Sequence, residues 1–320
     1  MNYTFKKLKN WVVAILVMAF GVLVFNIDSV SAAGYGLSMS PMKQSIIIDP
    51  GDSYKLSFRI SNPSNSTQDT YYKIEIEPFY RDENGAVVYE AEGGHGEIVK
   101  WVSLGIPAEG KLAPNDVKEV LMTINVPESA SAGGQYFSVN VTAAAKPFDE
   151  EQSEEASDSA TIKEIKRMSH LVYVEITGTV IKKGNILSAD LPGFLLSGKI
   201  TGSATVENLG NVHGEAKYVL KVFPLFSDEE IYTNEENPEE KTVLPNRTLY
   251  NETAWEGTPN IGIFNVVYTV EFEGSTAEVR KMVIRCPVWL LFLVLFAVAA
   301  IIIYFVTRTR TRRGTRRDEE

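Results

Sequence analysis

Between residues 34 and 285 the sequence is dominated by segments in which apolar and polar residues alternate one by one. The segment Tyr54–Ser61 shows the pattern, because its apolar residues lie at every second position and its polar residues lie between them. This period of two is that of a β-strand with one buried face. The same period recurs at Tyr72–Ile76, Val120–Val126, Phe137–Val141, Leu171–Thr177 and Phe264–Phe272. These segments predict an all-β fold.

Turn signals separate the alternating segments at short intervals. They are Pro50-Gly51, Asn62-Pro63, Asn84-Gly85, Pro114-Asn115-Asp116, Gly133-Gly134, Gly184-Asn185 and the stretch Asn208–Asn211. Short strands divided by such turns favour β-sandwiches over parallel α/β sheets. We therefore predict two tandem Ig-like β-sandwich domains, over residues 34–180 and 181–285, followed by one C-terminal transmembrane α-helix.

An acidic, serine-rich stretch at Phe148–Thr161 complicates the division into domains. Its composition is typical of a segment that cannot bury enough apolar surface to fold, and it therefore resembles a linker. A cut there would leave the first domain without its last strand, Leu171–Thr177. We instead interpret residues 148–161 as a long acidic hairpin loop inside the first domain and expect the boundary at Gly178–Gly184.

The segment Val126–Val141 contains a proline, a run of small residues, the pair Gly133-Gly134 and an alternating apolar tail. A glycine pair at this place is compatible with a phosphate cradle, a tight turn or the entry to a sheet. A phosphate cradle needs the N-terminus of a helix after the glycines, and the following residues alternate as a strand does. We predict a connection between two sandwich strands, with Phe137, Val139 and Val141 facing the core.

The N-terminal residues are typical of a secretory signal peptide over residues 1–33. Three lysines precede an apolar run from Trp11 to Phe25, and small residues follow, which predicts cleavage after Ala32 or Ala33. A retained N-terminal anchor is the alternative interpretation of the same residues.

At the other end, residues 287–306 contain no charged side chain and are long enough to cross the hydrocarbon layer. Trp289 and Tyr304 lie near the ends of this segment, where aromatic rings prefer the headgroup level. A basic tail follows over residues 307–320, with Arg308, Arg310, Arg312, Arg313, Arg316 and Arg317. The positive-inside rule places this tail in the cytoplasm. The prediction is a single-pass protein of the cell membrane with its N-terminal domains outside.

Charge and cysteine content limit the partners of the exported part. Removing the signal peptide and the tail, which hold nine basic and four acidic residues, from totals of 31 and 41 leaves 22 and 37, a net charge of about −15. Such a surface is not expected to bind nucleic acid. Cys286 is the only cysteine, so no intrachain disulfide can form.

Candidate catalytic and metal-binding residues form no coherent set. His95, His170 and His213 lie far apart without ligands at metal-binding spacing, and we expect each at a surface or strand edge. Asp82 and Asn84 fit an Asn-Gly hairpin turn better than a calcium loop. We expect no cofactor, no metal and no enzymatic activity. The alternation predicts that Glu75 and Glu77 face solvent. Trp101 and Trp255 are each compatible with a core position or with a sugar-stacking site.

The order of several segments resembles the WxL-interacting proteins, which are cell-surface proteins of Gram-positive bacteria. The segments are Pro50–Asn65, Asp82–Glu90, Ile98–Leu104, Leu112–Val139 and Leu171–Ile176, followed by Thr205–Val222, Val243–Trp255 and the membrane segment with its basic tail. The resemblance implies a first domain that binds peptidoglycan, a second domain that binds partner or host surfaces, and association with WxL-domain proteins. It assigns no binding residue.

Three functions are compatible with the sequence. The first is a non-enzymatic, membrane-anchored surface protein that binds cell-wall peptidoglycan or other surface proteins through strand edges or loops. The second is an assembly factor for exported proteins that acts by adding a strand to its client. The third is a surface hydrolase, for which the sequence offers no nucleophile, acid–base pair or metal set.

Overall fold

The computed structural model describes residues 34–63, 65–89, 96–148 and 165–314, with side chains described as far as Phe305. Several predicted features lie outside these residues: the cleavage site at Ala32 and Ala33, His95, Arg316, Arg317 and most of the acidic stretch. Arg308, Arg310, Arg312 and Arg313 lie in the C-terminal helix, but their side chains are not among those described.

The first set of strands forms two sheets that face each other. Its elements are β1 (Ser38–Ser40), β2 (Lys43–Ile48), β3 (Ser53–Ser61), β4 (Thr70–Arg81), β5 (Val87–Tyr89), a 3₁₀ helix (Gly96–Trp101), β6 (Val102–Leu104), β7 (Glu109–Leu112), β8 (Val117–Asn125), β9 (Gly133–Ala144) and β10 (Lys166–Ile176). One sheet has the order β1-β3-β8-β6, and the other has the order β2-β10-β9-β4-β5 with β7 also paired to β4. The chain passes from the first sheet to the second between β1 and β2.

The core of the first domain lies between these sheets and contains the side chains that the alternation predicted. Leu56, Phe58 and Ile60 of β3 pack there with Phe137, Val139 and Val141 of β9. β9 and β10 are antiparallel neighbours with Lys166 opposite Ala143, so residues 145–165 connect two adjacent strands of one sheet. Lys166, Arg167 and Met168 extend β10 beyond the segment Leu171–Thr177 that the alternation predicts.

The second set of strands repeats the same architecture. Its elements are β11 (Gly184–Asp190), β12 (Phe194–Leu195), β13 (Ile200–Asn208), β14 (Gly214–Pro224), β15 (Tyr232–Thr233), β16 (Glu239–Val243), β17 (Thr248–Trp255), β18 (Gly262–Phe272) and β19 (Ser275–Arg285). The sheet orders are β11-β13-β17 and β12-β19-β18-β14-β15, with β16 also paired to β14. The fold is thus two β-sandwich domains in tandem, as the sequence predicts. The boundary at 180 remains a prediction.

The second core is also formed by alternate residues. Phe264, Val266, Tyr268, Val270 and Phe272 of β18 are all buried in it. Trp255 packs there as well, with its ring 5.6 Å from that of Tyr232, so the core interpretation of this tryptophan is correct. Trp101 is half-buried against the first core.

One asparagine occupies the same structural position in each domain. Asn62 follows β3 and donates its side-chain amide to Gln68 O and Leu112 O, while Asn208 ends β13 and donates to Val212 O and Val243 O. The carbonyl of each also accepts a backbone hydrogen bond from a second asparagine, Asn115 or Asn246. These second asparagines have positive φ angles of 69° and 55° and follow a proline in both domains. The same polar arrangement therefore closes one end of both sandwiches.

The C-terminal helix, α1 (Val288–Gly314), begins three residues after the end of β19. Its segment Val288–Phe305 is long and apolar enough to cross a membrane, and no part of it is buried against the domains. Trp289 and Tyr304 are both exposed on it, near the two ends of this apolar segment. The chain thus carries a helix suited to anchor the two domains to a membrane.

Candidate functional site between the two domains

The two domains contact each other through a cluster of aromatic side chains. Phe79, Tyr136 and Tyr173 from the first domain pack together with Leu244 from the second. The ring of His213 completes the cluster, with centroids 5.7 Å from Tyr136 and 5.1 Å from Tyr173. Burial lowers the pKa of His213, which favours the neutral imidazole, and burial raises the pKa of Tyr136. The cluster therefore presents neutral rings at the contact.

Backbone hydrogen bonds join the domains on both sides of this cluster. The N–H of Gly134 donates to Asn211 O at 2.7 Å, and the N–H of Tyr250 in β17 donates to Glu83 O at 2.7 Å. Glu83 lies in the β4–β5 hairpin loop, whose shape depends on Asp82: its carboxylate accepts from the N–H groups of Asn84 and Ala86. The predicted hairpin turn is thus correct, and its tip contacts the second domain.

The segment between the domains is hydrogen-bonded to Asn211. The side-chain carbonyl of Asn211 accepts from the N–H of Ile181 at 2.7 Å, and its amide donates to Thr179 O at 2.8 Å. The N–H of Asn211 itself donates to Ile181 O. A single asparagine therefore holds the linker and, through its carbonyl, Gly134 of the first domain.

Beside the aromatic cluster lies an open cleft of about 520 Å³. Lys43, the first residue of β2, reaches across it and donates to Glu215 Oε1 and Thr242 Oγ1 of the second domain, both at 2.8 Å. On the other wall, Arg81 donates to the hydroxyl of Tyr173 and to Gly85 O. The bonds of Lys43 join the two domains, whereas those of Arg81 stay within the first domain, and neither side chain is arranged as a nucleophile beside a base.

β2 forms an edge of its sheet next to this cleft. It pairs only with β10 among the described strands, in parallel, with Leu171 opposite Lys43 and Ile176 opposite Ile48. The N–H groups of Leu171 and Thr177 donate to Met42 O and Ile48 O, so the even-numbered residues face β10. In a parallel ladder, alternate residues direct both backbone groups to opposite sides. The N–H and C=O groups of Lys43, Ser45 and Ile47 therefore point away from the sheet.

Other edge strands of the described residues are less accessible to a partner. β11 contains a β-bulge between Ile186 and Ser188, an irregularity that interrupts regular pairing. β17 already uses the N–H of Tyr250 for the first domain, and its Thr253 hydroxyl donates to Glu239 of β16. The edges at β1, β5, β6, β7, β12 and β15 are two to four residues long, and β16, of five residues, already accepts hydrogen bonds at Thr242 from Lys43 and at Glu239 from Thr253. β2 combines six residues, a regular register and the exposed apolar side chain of Ile47, of which 64% is accessible.

The sequence-based assignments of polar residues were correct in part. Glu75 and Glu77 lie on the outer face of β4, as predicted. His170 was expected at a surface or strand edge, and that prediction is wrong: it is fully buried, stacked on Phe58 with centroids 4.7 Å apart, and hydrogen-bonded to Pro41 O at 2.8 Å. Among the described residues no group of three or more His, Cys, Asp or Glu side chains is placed to hold a metal ion.

The residues that form the contact between the domains were not identified from the sequence. Lys43, Tyr136, Tyr173 and Glu215 come from segments far apart in the chain, and no spacing or motif relates them. The Gly133-Gly134 pair was identified, but only as a strand connection. Its additional role at the contact depends on the position of Asn211, which the sequence does not indicate.

We predict that Gly133→Ala weakens the contact between the domains. Gly133 has a φ of 133°, and a Cβ there would lie 2.9 Å from Asn211 O. A strained backbone costs about 1–3 kcal/mol, and forcing an atom into a packed contact costs about 1–3 kcal/mol more. Gly274→Ala is the matched control, because Gly274 has a φ of 80° and open space around it.

Thermal unfolding of the full chain in detergent micelles would measure both variants. We expect Gly274→Ala to lower the midpoint modestly and Gly133→Ala to lower it further and to split the transition into two. Equal shifts with a single transition in both variants would show that the Gly133–Asn211 contact does not couple the domains.

Comparisons with known proteins identify no family. No protein-family model matches the sequence, and no curated protein sequence matches it. Among solved structures, the chain is similar to the CupB2 chaperone of Pseudomonas aeruginosa, with 11% identity over 76% of this chain and 98% of that chain and a TM-score of 0.35. The E. coli chaperone DraB has 10% identity over 77% and 97%, also with a TM-score of 0.35.

A third similar structure is a chain from the complex of the Salmonella enterica SafA pilin with the SafB chaperone. It has 9% identity over 78% of this chain and 96% of that chain, with a TM-score of 0.36. At these identities and TM-scores no conclusion about ligands or partners follows from the likeness. The two-sandwich fold rests on the strand pairings described above, and the predicted membership of the WxL-interacting family remains a prediction.

Proposed function

We propose that this chain is a membrane-anchored, non-enzymatic protein that holds an extended segment of another exported protein by strand addition to β2. The observation that carries the proposal is the edge of β2, which begins at the cleft between the domains and pairs with no second strand among the described residues. Exposed edges of this kind pair readily with other chains unless they are short, charged or covered. Along Ser45–Ile48 this edge carries no charged residue, and no described strand covers it.

The chemistry of β2 is suited to an extended polypeptide. Its outward backbone groups at Lys43, Ser45 and Ile47 would supply main-chain hydrogen bonds, which give affinity without dependence on sequence. Ile47 would add an apolar contact on the exposed face. Lys43 would place a cation at the cleft end of the bound segment, although it already pairs there with Glu215.

The position of β2 also suits a partner outside the cell. The second domain contacts the first through the end that carries Asn211 and Tyr250, whereas β19 leaves the opposite end and enters α1. The first domain thus lies on the side of the second domain away from α1. We propose the orientation that the sequence indicates, with the domains outside the cell membrane and the arginine-rich tail in the cytoplasm.

The family resemblance adds two more specific partners to this proposal. A segment of a WxL-domain protein would bind β2 by the mechanism described above. Peptidoglycan would need a different surface, because sugars favour an open aromatic face and Trp255 is buried beneath Tyr232. Retention of the full chain on purified cell walls at low salt would support a peptidoglycan-binding role, and its absence would remove that role.

Photo-crosslinking in intact cells tests the proposed function. A benzophenone amino acid replaces Ile47 on β2 or, as a control, Val117, which is 65% exposed on β8 of the other sheet. We expect Ile47 to give adducts with a defined exported protein that Val117 does not give. Adducts that are identical at both positions, or an absence of protein adducts at Ile47, would contradict strand addition at β2.

A further inference from the structure

The end of the second domain next to α1 carries exposed apolar side chains on three separate loops. Phe226, on the β14–β15 loop, is 96% exposed, and Ile261, on the β17–β18 loop, is 49% exposed. Phe194 in β12 and Leu196 just after it are also exposed. Isolated apolar side chains are common on protein surfaces. Several exposed apolar side chains at one end of a domain are less common and indicate a surface that contacts something apolar.

The strand register places these loops at the end where β19 terminates. Phe194 and Ile263 both lie opposite Ile284, the penultimate residue of β19. Pro224, the last residue of β14, lies opposite Phe264, so the loop that carries Phe226 leaves the sheet at the same end. Ile261 precedes β18, whose first residue, Gly262, lies opposite Arg285.

The distance from this end to the membrane is short because the connection to α1 is short. Only Cys286 and Pro287 separate the end of β19 from Val288, where the apolar segment begins. Three Cα–Cα steps span at most about 11 Å. The headgroup region of one leaflet is about 5–8 Å thick. With α1 in a bilayer, the end of β19 therefore lies within or just above the headgroup region.

The charges at this end disfavour electrostatic binding to anionic lipid. Asp228, Glu229 and Glu230 follow Phe226 in its loop, and Lys199 pairs with Glu256. An acidic loop is repelled by an anionic surface, whereas aromatic and aliphatic side chains gain by partial burial at the boundary between headgroups and acyl chains. The apolar side chains, rather than the charges, would make the contact.

We propose that the loops carrying Phe194, Leu196, Phe226 and Ile261 insert into the interface of the lipid bilayer beside α1. The second domain then rests on the membrane instead of moving freely about its two-residue connection. This inference depends on membrane insertion of α1 and is independent of strand addition at β2. It also gives the domains a defined side toward the membrane, so that the first domain is held away from it.

Depth-dependent fluorescence quenching tests the contact in the full chain. In a Cys286→Ser background, single cysteines replace Phe226, Ile261 or, as a control, Val117 of the first domain, and each is labelled with the environment-sensitive dye NBD. The labelled chains are reconstituted into phosphatidylcholine vesicles with or without lipids brominated near the top of the acyl chain. Flotation of the vesicles reports insertion of α1 separately.

With the chain floating with the vesicles, we expect blue-shifted emission and quenching at positions 226 and 261 but not at 117. The quenching should persist at high salt, because the contact is apolar. The proposal would be overturned if the chain floats with the vesicles and the labels at 226 and 261 are quenched no more than the label at 117. Quenching that disappears at high salt would also overturn it in favour of an electrostatic contact.

Discussion

Asn208→Ala is expected to unfold much of the second domain at temperatures where the wild-type chain is folded. Asn208 is 1% exposed, and its side chain makes three hydrogen bonds, to Val212 O, Val243 O and the N–H of Gly210. Each buried group left without a partner costs about 1–3 kcal/mol. Three such groups cost about 3 kcal/mol or more, which is a large share of a typical domain stability of about 5–15 kcal/mol.

Two further variants make this prediction specific. Asn185→Ala removes the same side chain from an exposed position on β11, and surface changes of this kind usually alter stability by about 0.5 kcal/mol or less. Asn208→Asp keeps an acceptor for Gly210 but directs a carboxylate at two carbonyl oxygens, so it should not rescue the domain.

Hydrogen exchange, followed peptide by peptide in the full chain, would measure these effects. We expect Asn208→Ala to lose protection in β13 and β17 while β3 and β8 remain protected, since the first domain has its own asparagine at Asn62. Wild-type protection in Asn208→Ala, or equal loss with Asn185→Ala, would show that the hydrogen bonds of Asn208 do not hold the domain together.

The sequence predicted those features of the fold that depend on local pattern. The alternation at Tyr54–Ser61 and Phe264–Phe272 located strands β3 and β18 and their buried faces, because a strand on a single core exposes its other face to water. Asn62 and Asn208 lie in segments that the sequence marks as turns, but their shared hydrogen-bonding arrangement in the two domains was not predicted.

Burial of the outer face of a sheet by another part of the chain was not predictable from the sequence. Tyr136 directly precedes the core residue Phe137 in β9 and by period should face solvent, yet it is fully buried because the second domain covers it. His170 is a different case, because it shares a face of β10 with the core residues Val172, Val174 and Ile176 and is buried on that inner face against Phe58, where the period of two also places it. Period-two patterns describe one strand at a time and carry no information about which other elements cover its outer face.

The position of β2 at the edge of its sheet likewise depends on contacts between distant parts of the chain. The β2 residues Lys43–Ile48 could be recognised as a strand once its neighbours were known, but whether a strand is central or at an edge depends on pairing across the whole domain. Its parallel register with β10 joins residues more than 120 positions apart. The sequence therefore suggested strand addition as a mode of binding without identifying the strand that performs it.

Ser45→Pro is expected to weaken partner binding strongly while leaving the first domain folded. Ser45 points its N–H away from β10, so proline removes no hydrogen bond of the existing sheet, and proline is tolerated on edge strands in that orientation. An added strand would lose one main-chain hydrogen bond, worth about 0.5–1.5 kcal/mol. The ring would also hold the added strand away from Lys43 and Ile47. Loss of this hydrogen bond together with those at Lys43 and Ile47 should weaken binding about tenfold or more.

Ser45→Ala is the matched control, because it removes the hydroxyl and keeps the outward N–H. The measurement is the amount of partner that co-purifies with the full chain after crosslinking in cells, together with the unfolding midpoint of each variant. We expect wild-type recovery with Ser45→Ala, strong loss with Ser45→Pro and similar midpoints for both. A folded Ser45→Pro chain that retains its partner at the wild-type level would exclude main-chain pairing at β2 and move the binding surface elsewhere on the molecule.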